Sequence, residues 1–283
     1  MIKRFALALA LLGPAAISPA VLHAQSVTVA PPVVVIDHRS RGGSIDLYNP
    51  SSVPVEVSVS LLYGYPVSDS LGNVDLNTME KPPASEPSAA GWIDAYPRRA
   101  TVLPGQKQTV RFLARPPADL ADREYWSRIV VSSKAAALAL ATPDTTKITA
   151  SLNVEIRTIT TLLYRKGTVS SSVTTSNLRT AVHGDSLITR VKLDPHGNAA
   201  WLGTLTGKFV GTDGKTVAEF ERPMGVYHAV DPSFILPLDS IPPGRYHLHV
   251  ELKSERRDLP RSTLVQSPAV RDSIEVAVPP RRP

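Results

Sequence analysis

Val53, Val55, Val57 and Val59 alternate with Pro54, Glu56, Ser58 and Ser60. A period of two sends one set of side chains into a core and the other into water, so the pattern predicts a half-buried β-strand. The same period recurs over a longer stretch, where Ile148, Ala150, Leu152, Val154 and Ile156 occupy every second position. Shorter runs predict strands at Ser26 to Val35, Ser44 to Tyr48, Trp92 to Tyr96, Thr109 to Leu113 and Tyr125 to Ser132. After Lys166-Gly167 the alternation stops in a Ser/Thr-rich stretch and then resumes at Ser186 to Leu193, Gly203 to Val210 and Thr216 to Phe220. Further strands are expected at Ser233 to Pro237, Gly244 to Lys253 and Asp272 to Val278. Helical periodicity is nearly absent. Short strands recurring at about 8–12 residues favour a sandwich, read here as antiparallel throughout.

The punctuation between strands is specific in places. Leu103-Pro104-Gly105-Gln106 has Pro and Gly where a type II turn needs them, and Gly211-Thr212-Asp213-Gly214 predicts a hairpin turn. Pro66 to Gly91, rich in Pro, Ser, Gly and acid, reads as a long exposed connection with a small turn at Asp69 to Asn73. Ala135 to Ala141 could be helical by propensity but is read as a loop.

Composition changes the picture mainly by naming a compartment. Lys3 and Arg4 precede the apolar run Phe5 to Leu12, which is too short to span a bilayer and reads as a signal peptide, residues 1–24, with cleavage after Ala24 or, alternatively, Ala20. No later stretch approaches roughly 18 uninterrupted apolar residues, so no integral membrane segment is expected in the mature chain. Export and the absence of cysteine leave stability to packing alone. About 260 mature residues suit two domains, expected at 25–165 and 166–283. The fold class is therefore all-β, with two immunoglobulin-like β-sandwich domains in tandem. Removing Lys3 and Arg4 takes the basic count from 31 to 29 against 25 acids. That surplus is too small to predict nucleic-acid binding, and the aromatics, 6% of residues, do not interleave with the basic side chains.

Four segments carry a family resemblance. "YPRRATVLPGQKQTVRFLARPPADLADREYWSRIVVSS", Tyr96 to Ser133, resembles the first-domain signature of periplasmic pilus and fimbrial assembly chaperones of the PapD-like kind. "SIDLYNPS" is similar to the family's early strand, and "LLYRKG" to the end of the last strand of its first domain. "GRYHLHVEL" matches only the general plan of the second domain. The resemblance implies a periplasmic protein that binds pilus or fimbrial subunits by donating an edge strand, with an outer-membrane usher as a further partner. The donated side chains would be Ile148, Leu152, Val154 and Ile156. The alternating stripe is equally what a strand facing its own core shows. Its length, beyond the usual five or so residues, favours donation.

The resemblance also implies two cations that anchor a subunit's terminal carboxylate. Their positions fall near Val33 and Thr161, neither of them basic, so Arg39, Arg41 and Arg157 are the substitutes by vicinity. Glu124 and Arg165 match an interdomain ion pair of the family, with Glu255 or Asp258 as the candidate for an acid that joins it.

Catalysis has no support in the residues. There is no Gly-x-Ser-x-Gly, no His-Glu-x-x-His, no phosphate-binding glycine loop and no cysteine. His247 and His249 share a strand face but lack a third metal ligand nearby, Asp194, His196 and Asp231 read as turn formers, and Trp92, Trp126 and Trp201 as core or interdomain packing. The expectation is a non-enzymatic binding protein without cofactor or metal. The alternative is a structural, envelope-associated sandwich module that binds through the Pro66 to Gly91 segment.

Overall fold

The computed structural model describes residues 26–135 and 154–280. The described residues form strands and no α-helix. The first ten strands are β1 (Thr28–Ala30), β2 (Val33–Asp37), β3 (Gly42–Tyr48), β4 (Val55–Ser68), β5 (Val74–Met79), β6 (Ile93–Tyr96), β7 (Arg99–Val102), β8 (Lys107–Ala114), β9 (Glu124–Ala135) and β10 (Ile156–Arg165). The rest are β11 (Ser171–His183), β12 (Ser186–Gly197), β13 (Trp201–Gly211), β14 (Thr216–Val226), β15 (Ser233–Pro237), β16 (Gly244–Lys253) and β17 (Val270–Val278).

They make two sandwiches. In the first, a sheet ordered β1-β3-β8-β6 faces one ordered β2-β10-β9-β4-β5, with β7 also paired to β4. Between them lie Ile36, Ile45, Leu47, Val55, Val57, Val59, Phe112, Ile129, Leu162 and Tyr164. In the second, β11-β12-β15 faces β14-β13-β16-β17 over a core that includes Val191, Leu193, Trp201, Leu205, Phe209 and Leu248. A third apolar cluster joins the two: Val33, Tyr63, Trp126 and Leu163 pack with Ala200, Leu202, Tyr227, Leu259 and Leu264. This wall explains why β9 is buried at every residue from Glu124 to Val131, with no exposed face. Tyr125, Ile129 and Val131 point into the first core, while Trp126 points toward the second sandwich.

The local chemistry follows the sequence closely at the turns. Gly105 takes φ +67, and Gln106 N donates to Leu103 O at 3.0 Å, as a type II turn requires. Gly214, at φ +80, closes the β13–β14 hairpin with a 2.9 Å bond to Gly211 O. Asn49, fully buried after β3, donates from Nδ2 to Val53 O and Val102 O, each at 2.8 Å, and accepts from Ser51 N and Oγ.

Several expectations are corrected. The first sandwich is not antiparallel throughout: β10 runs parallel to β2, from Thr161↔Val33 to Arg165↔Asp37. The opening segment is two strands in different sheets, separated at Pro31 and Pro32, which have no N–H to continue the β1 ladder. Pro66 to Gly91 is not a loose connection either. β4 continues through Pro66 to Ser68, turns at Asp69–Asn73 and returns as β5. Beyond Leu62, β4 has left β9 and pairs with β5 alone, so a residue without an N–H is tolerated. Asp194 and His196 lie within β12, not in turns. The Ser/Thr-rich stretch is the edge strand β11, where only one sheet neighbour and few apolar residues were available to signal it.

Candidate binding edge and cleft

β10 is paired on both sides for only half its length. β9 accompanies it from Ile156 to Arg165, whereas β2 joins at Thr161, whose N–H donates to Pro32 O. Among the described residues, no strand pairs with the other side of Ile156 to Thr160. That stretch presents a row of backbone N–H and C=O groups able to accept another strand.

The side chains along it divide by parity. Leu162 and Tyr164 are fully buried in the first core, and Ile156 lies on the same side of β10, half-buried where the core thins out. Val154, just before the strand, is 52% exposed. Ile148 and Leu152 lie outside the described residues. On the other side of β10, Leu163 is buried against the second sandwich, while Ile159 is 43% exposed.

The substitute cations do not converge on this edge. Parallel register carries β2 away from the open stretch at about 3.3 Å per residue, so Arg39 and Arg41 sit in the turn beyond its far end, bonded around Asp37 and His38. Arg157 is exposed and pairs with Glu155 at 3.3 Å. A cation that the sequence reading missed occupies the place instead. Val33, Thr161 and Arg128 form one row across β2, β10 and β9, and Arg128 is only 6% exposed. Its Nη1 donates to Thr161 Oγ1, its Nε donates to Gly64 O at 2.8 Å, and its guanidinium lies 4.7 Å from the centre of the Tyr227 ring. Nη2 has no hydrogen-bond partner, and no carboxylate pairs with Arg128 among the described residues. The row marks the lip of the interdomain contact: Trp126 and Leu163, toward Arg165, are buried, and Ile159, toward the open edge, is not. The signal available in the sequence was an arginine within a mostly apolar strand, "YWSRIVV".

At the other end of β9, Glu124 and Arg165 face each other in register. Arg165 Nε donates to Glu124 Oε2 at 2.8 Å, with the carboxylate fully buried and the guanidinium 14% exposed. Glu124 Oε1 accepts from Ala200 N and from Trp126 Nε1, each at 3.1 Å, and Arg165 Nη2 donates to Thr263 O at 2.8 Å. Burial pushes the Glu124 carboxyl up, opposed by Arg165, the Ala200 N–H and the Trp126 indole. A backbone carbonyl thus stands where an acid was expected: Asp258 is held by Arg256, and Glu255 contributes its carbonyl to Thr204.

Nearby, Tyr63 Oη donates to Glu86 Oε2 at 2.5 Å, and His228 Nε2 lies 3.3 Å from the same oxygen. Burial and Glu86 push the Tyr63 phenol up. Elsewhere, His247 and His249 stack at 6.2 Å, and no three His, Cys, Asp or Glu side chains gather as a metal site among the described residues. No helix among them is long and apolar enough to cross a membrane.

No protein-family model matches the sequence, and no curated protein matches it. Solved structures do. The YadV chaperone is 13% identical, with 87% of this chain and 99% of that chain covered and a TM-score of 0.48. A chain of the Salmonella enterica complex of SafA pilin with the SafB chaperone is 16% identical, with coverages of 89% and 98% and a TM-score of 0.43. A chain of the CsuC–CsuE chaperone–tip adhesion subunit complex of Acinetobacter baumannii is 13% identical, with coverages of 75% and 90% and a TM-score of 0.41. These likenesses are to chains described as chaperones, at identities and TM-scores that leave the functional case to this chain's own residues.

Proposed function

We propose that this is a periplasmic chaperone-like protein that holds pilus or fimbrial subunits by adding β10 to their incomplete sheets. The observation that carries the reading is the open side of Ile156 to Thr160, continuous with the exposed Val154. An extended partner laid there gains main-chain hydrogen bonds, and the alternating stripe that ends in Val154 and Ile156 supplies the apolar side chains for its pockets. Arg128 is the candidate cation for a subunit's terminal carboxylate: it stands in the row near whose positions 33 and 161 the resemblance calls for cations, and its Nη2 has no partner, but that atom is buried beneath Tyr227, so a carboxylate reaches it only once the Tyr227 ring moves aside. The Glu124–Arg165 pair, bonded to Ala200 and Thr263 of the second sandwich, helps set the angle between the two sandwiches. Binding through Pro66 to Gly91 is left to its second half, because residues up to Met79 form a hairpin docked on the second sandwich while Glu80, Lys81, Pro83, Ala84 and Ser85 are exposed.

The test is co-expression with a subunit. Wild type retains it through purification. Val154→Glu combined with Ile156→Arg loses it while the free protein stays folded, with a midpoint lowered only by the loss of the half-buried Ile156 side chain. Retention by the folded double variant would show that β10 is not the donor.

A further inference from the structure

The β4–β5 hairpin leaves the first sandwich after Leu62, and its tip meets the second one. Ser233 N and Oγ donate to Gly72 O at 2.8 and 3.1 Å, Asp231 N donates to Ser68 Oγ at 2.8 Å, and Arg190 Nη1 donates to Ser70 O at 2.7 Å. The receiving site is itself braced. Asp231 takes Nη2 of both Arg179 and Arg190 on Oδ2, each at 2.7 Å.

The tip is built to fit before it docks. Asp69 Oδ1 accepts from Leu71 N and Asn73 N, and its Oδ2 from Asn73 Nδ2, all at 2.8 Å, which holds the turn in one shape. Gly72 is buried at φ +85, and a Cβ there would lie 2.8 Å from Ser233 Cβ and 2.9 Å from Ser233 N. Both the backbone conformation and the close approach demand glycine.

We infer that this hairpin is an interdomain clamp, a second fastening that fixes how the two sandwiches are oriented. The Glu124–Arg165 pair and the apolar wall around Trp126, Leu163, Leu202 and Tyr227 hold the sandwiches beside the linker, and the hairpin adds hydrogen bonds at the end of an extended arm, where any residual rotation about that wall displaces the bonded groups most. Tyr227 of the second sandwich covers Arg128 of the first, so the clamp also fixes what lies over that guanidinium. Gly72, Ser68 and Arg190 are positioning residues in this scheme. The inference stands whether or not the chain binds subunits, because its readout needs no partner.

The test uses the whole protein. Residual dipolar couplings of the wild type fit one alignment tensor for both sandwiches. In Gly72→Val the two sandwiches keep their core chemical shifts but need separate tensors, and exchange protection at the Ser233 and Asp231 amides falls by about tenfold or more, the equivalent of one lost hydrogen bond. A single shared tensor with unchanged protection in Gly72→Val overturns the clamp. Should that variant fail to fold, Ser68→Ala combined with Arg190→Ala removes two of the docking bonds without touching the turn, and its tensors decide the matter in the same way.

Discussion

Replacing Arg128 by Met should move stability and binding in different ways, leaving the first nearly unchanged and lowering the second. Arg128 is 6% exposed, pairs with no carboxylate among the described residues and leaves Nη2 without a partner. Even after relaxation, desolvating an ion costs several kcal/mol. Three contacts offset this: the bond to Gly64 O, the bond to Thr161 Oγ1 and the face of Tyr227. The cation–π contact is worth about 0.5–2 kcal/mol and each hydrogen bond from a charged donor about 1.5–3 kcal/mol. Met has a similar reach, no charge and a polarizable sulfur suited to an aromatic neighbour. It removes the desolvation cost along with the contacts, and the remaining penalty is an unbonded Gly64 carbonyl, about 1–3 kcal/mol. The terms nearly cancel, so urea unfolding of Arg128→Met should give a stability within about 2 kcal/mol of wild type. Binding should fall. If Tyr227 moves aside and Nη2 receives a terminal carboxylate, a subunit-derived peptide ending in a free acid binds wild type about 10- to 100-fold more tightly than its amide, from one charge-assisted bond. In Arg128→Met that difference should vanish, as titration calorimetry over the four combinations would show. An acid-to-amide difference that survives in the variant, or a loss of stability well beyond about 2 kcal/mol, would contradict this account of the buried cation.

Other outcomes follow from the same physics. Arg165→Met leaves the fully buried Glu124 carboxylate without its cation and should cost about 3–5 kcal/mol by chemical denaturation; adding Glu124→Gln should recover most of it. Asn49→Ala strips four hydrogen bonds from the bend after β3, leaves the Val53 carbonyl to Ser51 Oγ alone and should cost about 2–4 kcal/mol. Trp126→Ala empties the wall between the sandwiches and should cost about 3–5 kcal/mol, with the loss accompanied by faster exchange at Ala200 N, whose acceptor Glu124 is braced by the Trp126 indole. Thr161→Val removes the hydroxyl that Arg128 Nη1 donates to and, under the carboxylate reading, should sharpen the acid-to-amide preference, a gain measurable in the same titrations.

The elements that could be read from the chain are those whose cause is local. Val55, Val57 and Val59 are buried and Ser58 and Ser60 exposed because pleating alone fixes which way each side chain points. Gly105 and Gly214 sit at positive φ because their turns admit little else there. Strands with a single sheet neighbour and few buried side chains left a weaker trace. β11 buries Ser171 and Val173 over thirteen residues, so its sequence resembles a loop. β5 and the far half of β4 were obscured by Pro66 and a polar composition that suit an arm packed by hydrogen bonds more than by apolar contact.

For the candidate site, the divide is between what lies along a strand and what lies across strands. The alternating stripe that includes Val154 and Ile156 is a property of consecutive residues and can be read without coordinates, as can the all-β class, whereas the pairing of Glu124 with Arg165 comes only through the family resemblance. Which half of β10 lacks a neighbour depends on where Pro31 and Pro32 divert the chain and on the parallel register that begins at Val33. Arg128 gains its meaning only from Thr161, Gly64 and Tyr227, residues 33, 64 and 99 positions away along the chain. Where the buried cation stands, which edge is open and what the β4–β5 hairpin holds are therefore set by the folded arrangement. Register and packing bring such groups together, and neither leaves a periodic mark in the sequence.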